Sequence, residues 1–361
     1  MKKHPLLSGL VGIAVLLALY LSFWPVAIDP APWVPPAAPE RTGVYTPNNL
    51  LSGVQRLESG MGSPLEGVAI DRERRLYAGT KDGRIIRYDR EGKTPEVFVE
   101  IGGWPLGIAF DAAGNLIVCN GRNGLRSVAS DGTVTTLTVE QGGVPFRNVD
   151  GLAIAPDGTI YFTDVSKKFT DDQYMDDLLE HRPNGRLLAY DPATRKTRLV
   201  LDGLYFPNGV AVAPDNTFLI LAEMGTYRLL RIRLSGPRTG TSEVFIDNLP
   251  GFPDGLFPGS DGVFWVTIVS PRDKLADTVL FPHPPLRKVL RRLPRALMPA
   301  PKNYGYVLGL DGNGTIVHNL QDPTGTFGQI TNVLEHDGKL YMGSLSEDAI
   351  GVLPVPKRAV K

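Results

Sequence analysis

One short pattern recurs six times along this chain, and no other feature narrows the fold as sharply. Each copy pairs an alternating apolar strand with an Asp- or Gly-rich turn and a second apolar strand. The copies read EGVAIDRERRLYAGT from Glu66, LGIAFDAAGNLIVCN from Leu106, DGLAIAPDGTIYFTD from Asp150, NGVAVAPDNTFLILAE from Asn208, DGLFPGSDGVFWVT from Asp254 and NVLEHDGKLYMGS from Asn332. The glycines at 67, 107, 151, 209 and 255 lie 40, 44, 58 and 46 residues apart, the length of a four-stranded propeller blade with its loops. Two-residue turns such as Asp131-Gly132 and Asp157-Gly158 join neighbouring strands as hairpins. Helical periodicity is nearly absent beyond residue 46, and the 40 glycines and 31 prolines suit many short strands joined by tight turns. The expected fold is all-β, a six-bladed β-propeller over residues 46–361. A pair of β-sandwiches would not repeat one local pattern six times.

In a propeller, equivalent positions of each blade lie at equivalent radii. The residue before the repeated glycine is Glu66, Leu106, Asp150, Asn208 and Asp254 in the first five copies. The first strand of a blade lines the central channel, so the four oxygen-bearing side chains are expected to converge near the axis. Carboxylates buried together are costly unless paired. A divalent cation resolves that conflict, and a set of Glu, Asp and Asn oxygens without His or Cys suits calcium rather than zinc. Asp-Gly or Asn-Gly before a strand is also ordinary turn chemistry, but that account leaves Glu66 at the same phase unexplained.

Lys plus Arg equals Asp plus Glu, 38 each, which argues against a nucleic-acid partner. Cys119 is the single cysteine, so neither an internal disulfide nor a cysteine zinc site can be assembled. Its strand-like surroundings predict a buried thiol. Residues 5–28 carry no charge. As one helix they would span about 36 Å, enough for a bilayer, and the run is longer than the apolar part of a cleaved signal peptide. The expectation is a retained transmembrane anchor over 1–28. Lys2 and Lys3 before it leave the N-terminus cytosolic and the propeller on the periplasmic or lumenal side. Residues 29–45 are Pro-rich and read as a stiff spacer. Two long inserts, 165–183 and 271–303, interrupt the period and are expected to shape a binding surface. The second is basic and Leu-rich, which suits an anionic lipid surface.

The stretches PLEGVAID, GWPLGIAFD, GTIYFTDVSKKF, GRLLAYDPATRKTRLVLDGLYFPNGVAVAPD, LPGFPDG and EHDGKLYMGS resemble those of the strictosidine-synthase-like proteins, which include the adipocyte plasma-membrane-associated proteins. That group is similar to the wider set of calcium-dependent six-bladed propellers with gluconolactonases and paraoxonases. The resemblance covers about residue 46 to the C-terminus, and an uncleaved anchor is typical of the membrane-associated branch. It implies that Glu66, Asp150, Asn208 and Asp254 hold calcium. The third-blade ligand of the family is commonly Asn; here it is Asp150, with Asn148 two residues earlier as a further candidate. True strictosidine synthases carry a catalytic glutamate in the last blade, where this chain has Thr331. None of His4, His181, His283, His318 and His336 matches the paraoxonase histidine dyad.

The resulting expectation is a membrane-anchored, calcium-dependent hydrolase of lactones or aryl esters. Asp254 serves as general base, with Asp150 as the alternative. No Gly-x-Ser-x-Gly elbow is present, so a serine nucleophile is not supported. Trp104, Phe146, Phe206 and Phe252 point to an apolar substrate, or simply to packing. The competing expectation is a non-catalytic binding or scaffold propeller with structural calcium. A strictosidine-synthase-like lyase is disfavoured by Thr331.

Overall fold

Asp-anchored turns set the first hairpin of the second, third and fourth blades and the last hairpin of the fifth. Asp111, Asp157, Asp215 and Asp311 each accept, through the carboxylate, the backbone N–H two residues on, the Asx turn that lets a strand reverse. The turn needs a left-handed residue, supplied by Gly114, Gly158 and Gly314 at φ 87°, 86° and 88° and by Asn216 at φ 55°. Between turns, the alternating apolar residues pair as antiparallel strands. In the computed structural model, which describes residues 5–294, 297–298 and 300–357, the described residues form six four-stranded sheets and one two-stranded ribbon.

Five blades run in chain order from the axis outward, for example Leu65–Ile70, Leu76–Thr80, Arg84–Tyr88 and Pro95–Glu100. The sixth combines Ile330–His336, Lys339–Ser344 and Ala349–Pro354 with Gln55–Glu58 from the start of the propeller. Gln55 pairs with Val352 and Glu58 with Ala349, so the two ends of the chain share one sheet and the ring is latched shut. The core lies between blades. Ala211, Ile220 and Leu229 of the fourth pack on Leu256, Val266 and Leu308 of the fifth, all buried. Cys119 is buried in such a layer.

The repeated glycine is required where blades meet at the axis. A Cβ on Gly67 would lie 1.9 Å from Leu106 O, on Gly107 2.4 Å from Asp150 O, on Gly151 2.4 Å from Asn208 O and on Gly209 2.3 Å from Asp254 O. Any side chain there must push the next blade's backbone away. Gly151→Ala is therefore expected to destabilise the protein by about 1–3 kcal/mol, as overpacking does. Denaturant unfolding at unchanged m-value reads this. Stability equal to that of the unmodified protein would contradict the close approach.

The N-terminal run folds differently from the expectation. Helix α1 spans Pro5–Phe23 rather than 5–28, because Pro25 disfavours helix at the residue before it. Among the described residues no helix is long and apolar enough to cross a membrane. The remainder of the run joins the body: Ile28 is buried with Phe169 and Leu179, and Val26 packs against them. The Pro-rich stretch expected to stand off as a spacer also lies against the propeller. Ala31 N–H donates to Glu180 O and Trp33 N–H to Phe281 O. Arg287 donates to Ala31 O and Arg272 to Pro36 O. The segment is thus held through its few N–H groups and through carbonyls that accept from arginines.

Candidate metal centre and its pocket

Each inner strand is interrupted where the candidate ligand stands. The register shifts between Leu65 and Val68, Val149 and Leu152, Pro207 and Val210, and Pro253 and Leu256. Such bulges re-aim a side chain beside a site. Glu66, Asp150, Asn208 and Asp254 fall inside these bulges and line one cavity of about 460 Å³ together with Asn148. Glu66 is 6 % exposed, Asp254 7 %, Asn208 5 % and Asn148 3 %; Asp150 keeps more of its surface toward the cavity.

Electrostatically the group is under stress. Burial, and then the charge of Asp150, pushes the Glu66 carboxyl well above the usual carboxylate range; Lys81 offsets this only in part. Burial, then Asp150 and Glu66, does the same to Asp254. Burial carries Asp150 up to about 7. Among the described residues none of the three forms an ion pair with a basic side chain, although 23 such contacts exist elsewhere. The one contact within the ring is Asn208 Nδ2 donating to Asp150 Oδ2 at 3.4 Å. Glu66 Oε1 and Asn148 Oδ1 are shut off from solvent and have no hydrogen-bond partner. Oxygen atoms buried in this way lack the partner that buried polar groups nearly always have, and a hard cation would supply it.

The donor set therefore fits calcium in its chemistry. It is not a carboxylate cage, however: among the described residues no group of three or more His, Cys, Asp and Glu is arranged to hold a metal ion. Amide oxygens have to contribute. Histidine and cysteine are absent from the described residues lining the cavity, so neither imidazole nor thiolate is at hand there for a zinc site.

Both inserts reach the same cavity. The first contributes Tyr174, Met175 and Leu178 around helix α2 (Tyr174–Glu180); the second contributes Leu280, Phe281 and Lys302 on either side of helix α3 (Pro284–Arg292). Trp104, Phe206 and Phe252 line it as expected, whereas Phe146 does not. Phe146 is a core residue packed edge-on against Phe162.

Several supporting residues carried no sequence signal strong enough to single them out. Asp164 accepts the backbone N–H groups of Arg147 and Asn148 and pairs with buried Arg186 at 2.9 Å, fixing the loop that presents Asn148. Thr163 Oγ1 accepts from Gly151 N–H and donates to Asn208 O, tying the third blade to the fourth. Thr267 repeats that arrangement on Gly255 and Thr331. A threonine at the same place of two second strands was the only trace, visible once the blades are superposed in register.

The strictosidine synthase family matches at residues 150–237, and the strictosidine synthase-like N-terminal family at residues 43–88. Protein strictosidine synthase-like 7 of Arabidopsis thaliana is 34 % identical over 357 residues, covering 96 % of this chain and 93 % of that protein. The chain belongs to the strictosidine synthase-like family. The adipocyte plasma membrane-associated protein of Homo sapiens is 33 % identical over 342 residues, covering 88 % of this chain and 81 % of the relative. Among solved structures, a gluconolactonase from Xanthomonas campestris superposes with a TM-score of 0.63 at 19 % identity, covering 91 % and 98 % of the two chains. The calcium-binding protein regucalcin from Agrobacterium tumefaciens gives 0.60 at 15 % identity, covering 83 % and 93 %. At these identities the structural likeness establishes the propeller fold alone.

Proposed function

We propose that this strictosidine synthase-like protein is a calcium-dependent hydrolase of lactones or aryl esters, attached to a membrane through α1. One observation carries the catalytic reading: three carboxyls without a basic partner and two orphaned oxygens share an apolar cavity. Calcium held by Glu66, Asp150, Asn208, Asp254 and Asn148 would supply a Lewis acid for an ester carbonyl oxygen. The protein's own groups do the rest. Asp254 takes a proton from the water that attacks the carbonyl carbon; Asp150 is the alternative base. The acyl carbon–oxygen bond then breaks and the proton passes to the leaving oxygen. Trp104, Phe206 and Phe252 hold the apolar part of the substrate. The gluconolactonase and regucalcin likenesses support this reading. At the position of the strictosidine-synthase glutamate, Thr331 offers no carboxylate for condensing an amine with an aldehyde.

A panel of lactones and aryl esters, assayed with the full chain in calcium and in chelator, tests the activity. Turnover that disappears with chelator is expected. Turnover unaffected by chelator would sink the metal-dependent reading. A folded, calcium-binding protein inert on the whole panel would assign it to the binding class instead.

Membrane attachment rests on α1, which exposes Leu10, Ile13, Leu16, Leu17 and Phe23, a concentration of apolar surface that water disfavours. The naming of the adipocyte relatives as plasma membrane-associated supports it. The protein is expected to float with vesicles containing anionic lipid, and Ile13→Glu with Leu16→Glu to leave it in the dense fraction. Flotation unchanged by both charges would remove α1 from the account.

A further inference from the structure

The contacts at the axis identify the sixth member of the ring. A Cβ on Gly255 would lie 2.3 Å from Thr331 O, just as one on Gly209 would meet Asp254 O; where the ring closes, Gly343 on the sixth blade's second strand makes the close approach to Glu66 O. Thr331, not Asn332, therefore takes the sixth blade's place, between Asp254 and Glu66. Asn332 stands where the other blades have glycine. The register shift of this strand falls between Ile330 and Asn332, so Thr331 lies in a bulge like its counterparts.

Its side chain faces the same problem as Glu66 and Asn148. Thr331 is 9 % exposed and lines the cavity, and its Oγ1 is buried without a hydrogen-bond partner. A hydroxyl left in that condition has lost its water without gaining a partner, which opposes folding. The backbone is held in place by Thr267 Oγ1, which donates to Thr331 O at 3.3 Å. The acidic side chains alone do not make a metal group, so a neutral oxygen at this place has a use. It adds a ligand without adding a fourth charge to three carboxylates already in conflict.

We propose that Thr331 Oγ1 is the sixth blade's oxygen donor to the cation held by Glu66, Asp150, Asn208 and Asp254. The inference rests on the calcium reading above, and its test separates the two. Calcium is titrated calorimetrically into the chelator-stripped full chain in detergent, with thermal unfolding as a check on folding. Thr331→Ser keeps the hydroxyl and should bind within about twofold of the original chain. Thr331→Val keeps the shape and removes the oxygen, and should bind about tenfold more weakly. Thr331→Asp should bind about tenfold more tightly, since a charged oxygen replaces a neutral one.

Equal affinity for the original chain, Thr331→Val and Thr331→Asp would overturn the assignment while leaving the calcium site standing. No calcium binding by the original chain would overturn both. If Thr331→Val fails to fold, the comparison of Thr331→Asp with Thr331→Ser still decides the matter.

Discussion

Replacing Asp254 by Asn is expected to lower kcat/KM for ester or lactone hydrolysis about a thousandfold, measured at saturating calcium so that weaker binding does not enter. The substitution keeps the shape of a side chain that is 7 % exposed but removes its capacity to accept a proton. A positioned general base contributes about a hundred- to ten-thousandfold. Asp254 is taken as the base because Asp150 Oδ2 is already engaged by Asn208 Nδ2, which donates to it at 3.4 Å. Asp150→Asn should therefore stay within about tenfold of the original rate under the same conditions. The reverse ranking would transfer the base to Asp150. Full activity in both variants would remove general-base catalysis from the ring.

The second large effect is on stability. Glu66, Asp150 and Asp254 have carboxyl pKa values raised by folding. The folded state then binds more protons than the unfolded chain at mildly acidic pH, so these groups destabilise progressively as pH rises. The penalty is absent below the ordinary carboxylate range near 4 and grows as pH passes through about 7, where Asp150 titrates. Carboxylates held low, such as Asp82 through Arg84 and Asp191 through Thr194, lose their contribution only below that window.

The calcium-free protein should accordingly melt at a lower temperature at pH 8 than at pH 5.5. Asp254→Asn should raise the melting temperature of the calcium-free form at pH 8 by removing a buried charge. Calcium at a thousandfold excess over its Kd adds roughly 4 kcal/mol, which for a chain of this size is about 6 °C. That gain should be larger at pH 8 than at pH 5.5. Asp177, buried and also raised to about 7, contributes the same slope outside the ring, so calcium should leave part of the pH dependence in place. Differential scanning calorimetry at the two pH values, with and without chelator, measures all three quantities. A calcium shift larger at pH 5.5 would contradict the electrostatic account.

The propeller was legible because its signal is local and repeated: glycine, alternating strand and Asx turn lie within fifteen residues of one another. Four ring positions were legible for the same reason, since Glu66, Asp150, Asn208 and Asp254 precede the glycine that blade contact demands. Thr331 was hidden as their counterpart because Asn332 replaces that glycine, which shifts the apparent start of the sixth copy by one residue. The N-terminal segment was misread for a different reason. An uncharged run looks like one helix until Pro25 is weighed, and a Pro-rich stretch looks detached. Its attachment depends on Arg272 and Arg287, more than two hundred residues away in sequence. Phe146 shows the limit of counting aromatics near a motif. It and Phe206 are equally buried, at 4 % exposure each, and only the packing of Phe146 on Phe162 separates core from cavity wall.

The central claim is that the ring of axial oxygens holds a divalent cation, and a crystal of the protein grown with calcium tests it most directly. Anomalous differences collected at long wavelength should show a single strong peak enclosed by Glu66, Asp150, Asn208 and Asp254, absent from crystals of Asp254→Asn grown in chelator. Well-ordered electron density for these four side chains with no anomalous peak between them, or a peak located elsewhere in the propeller, would contradict the account.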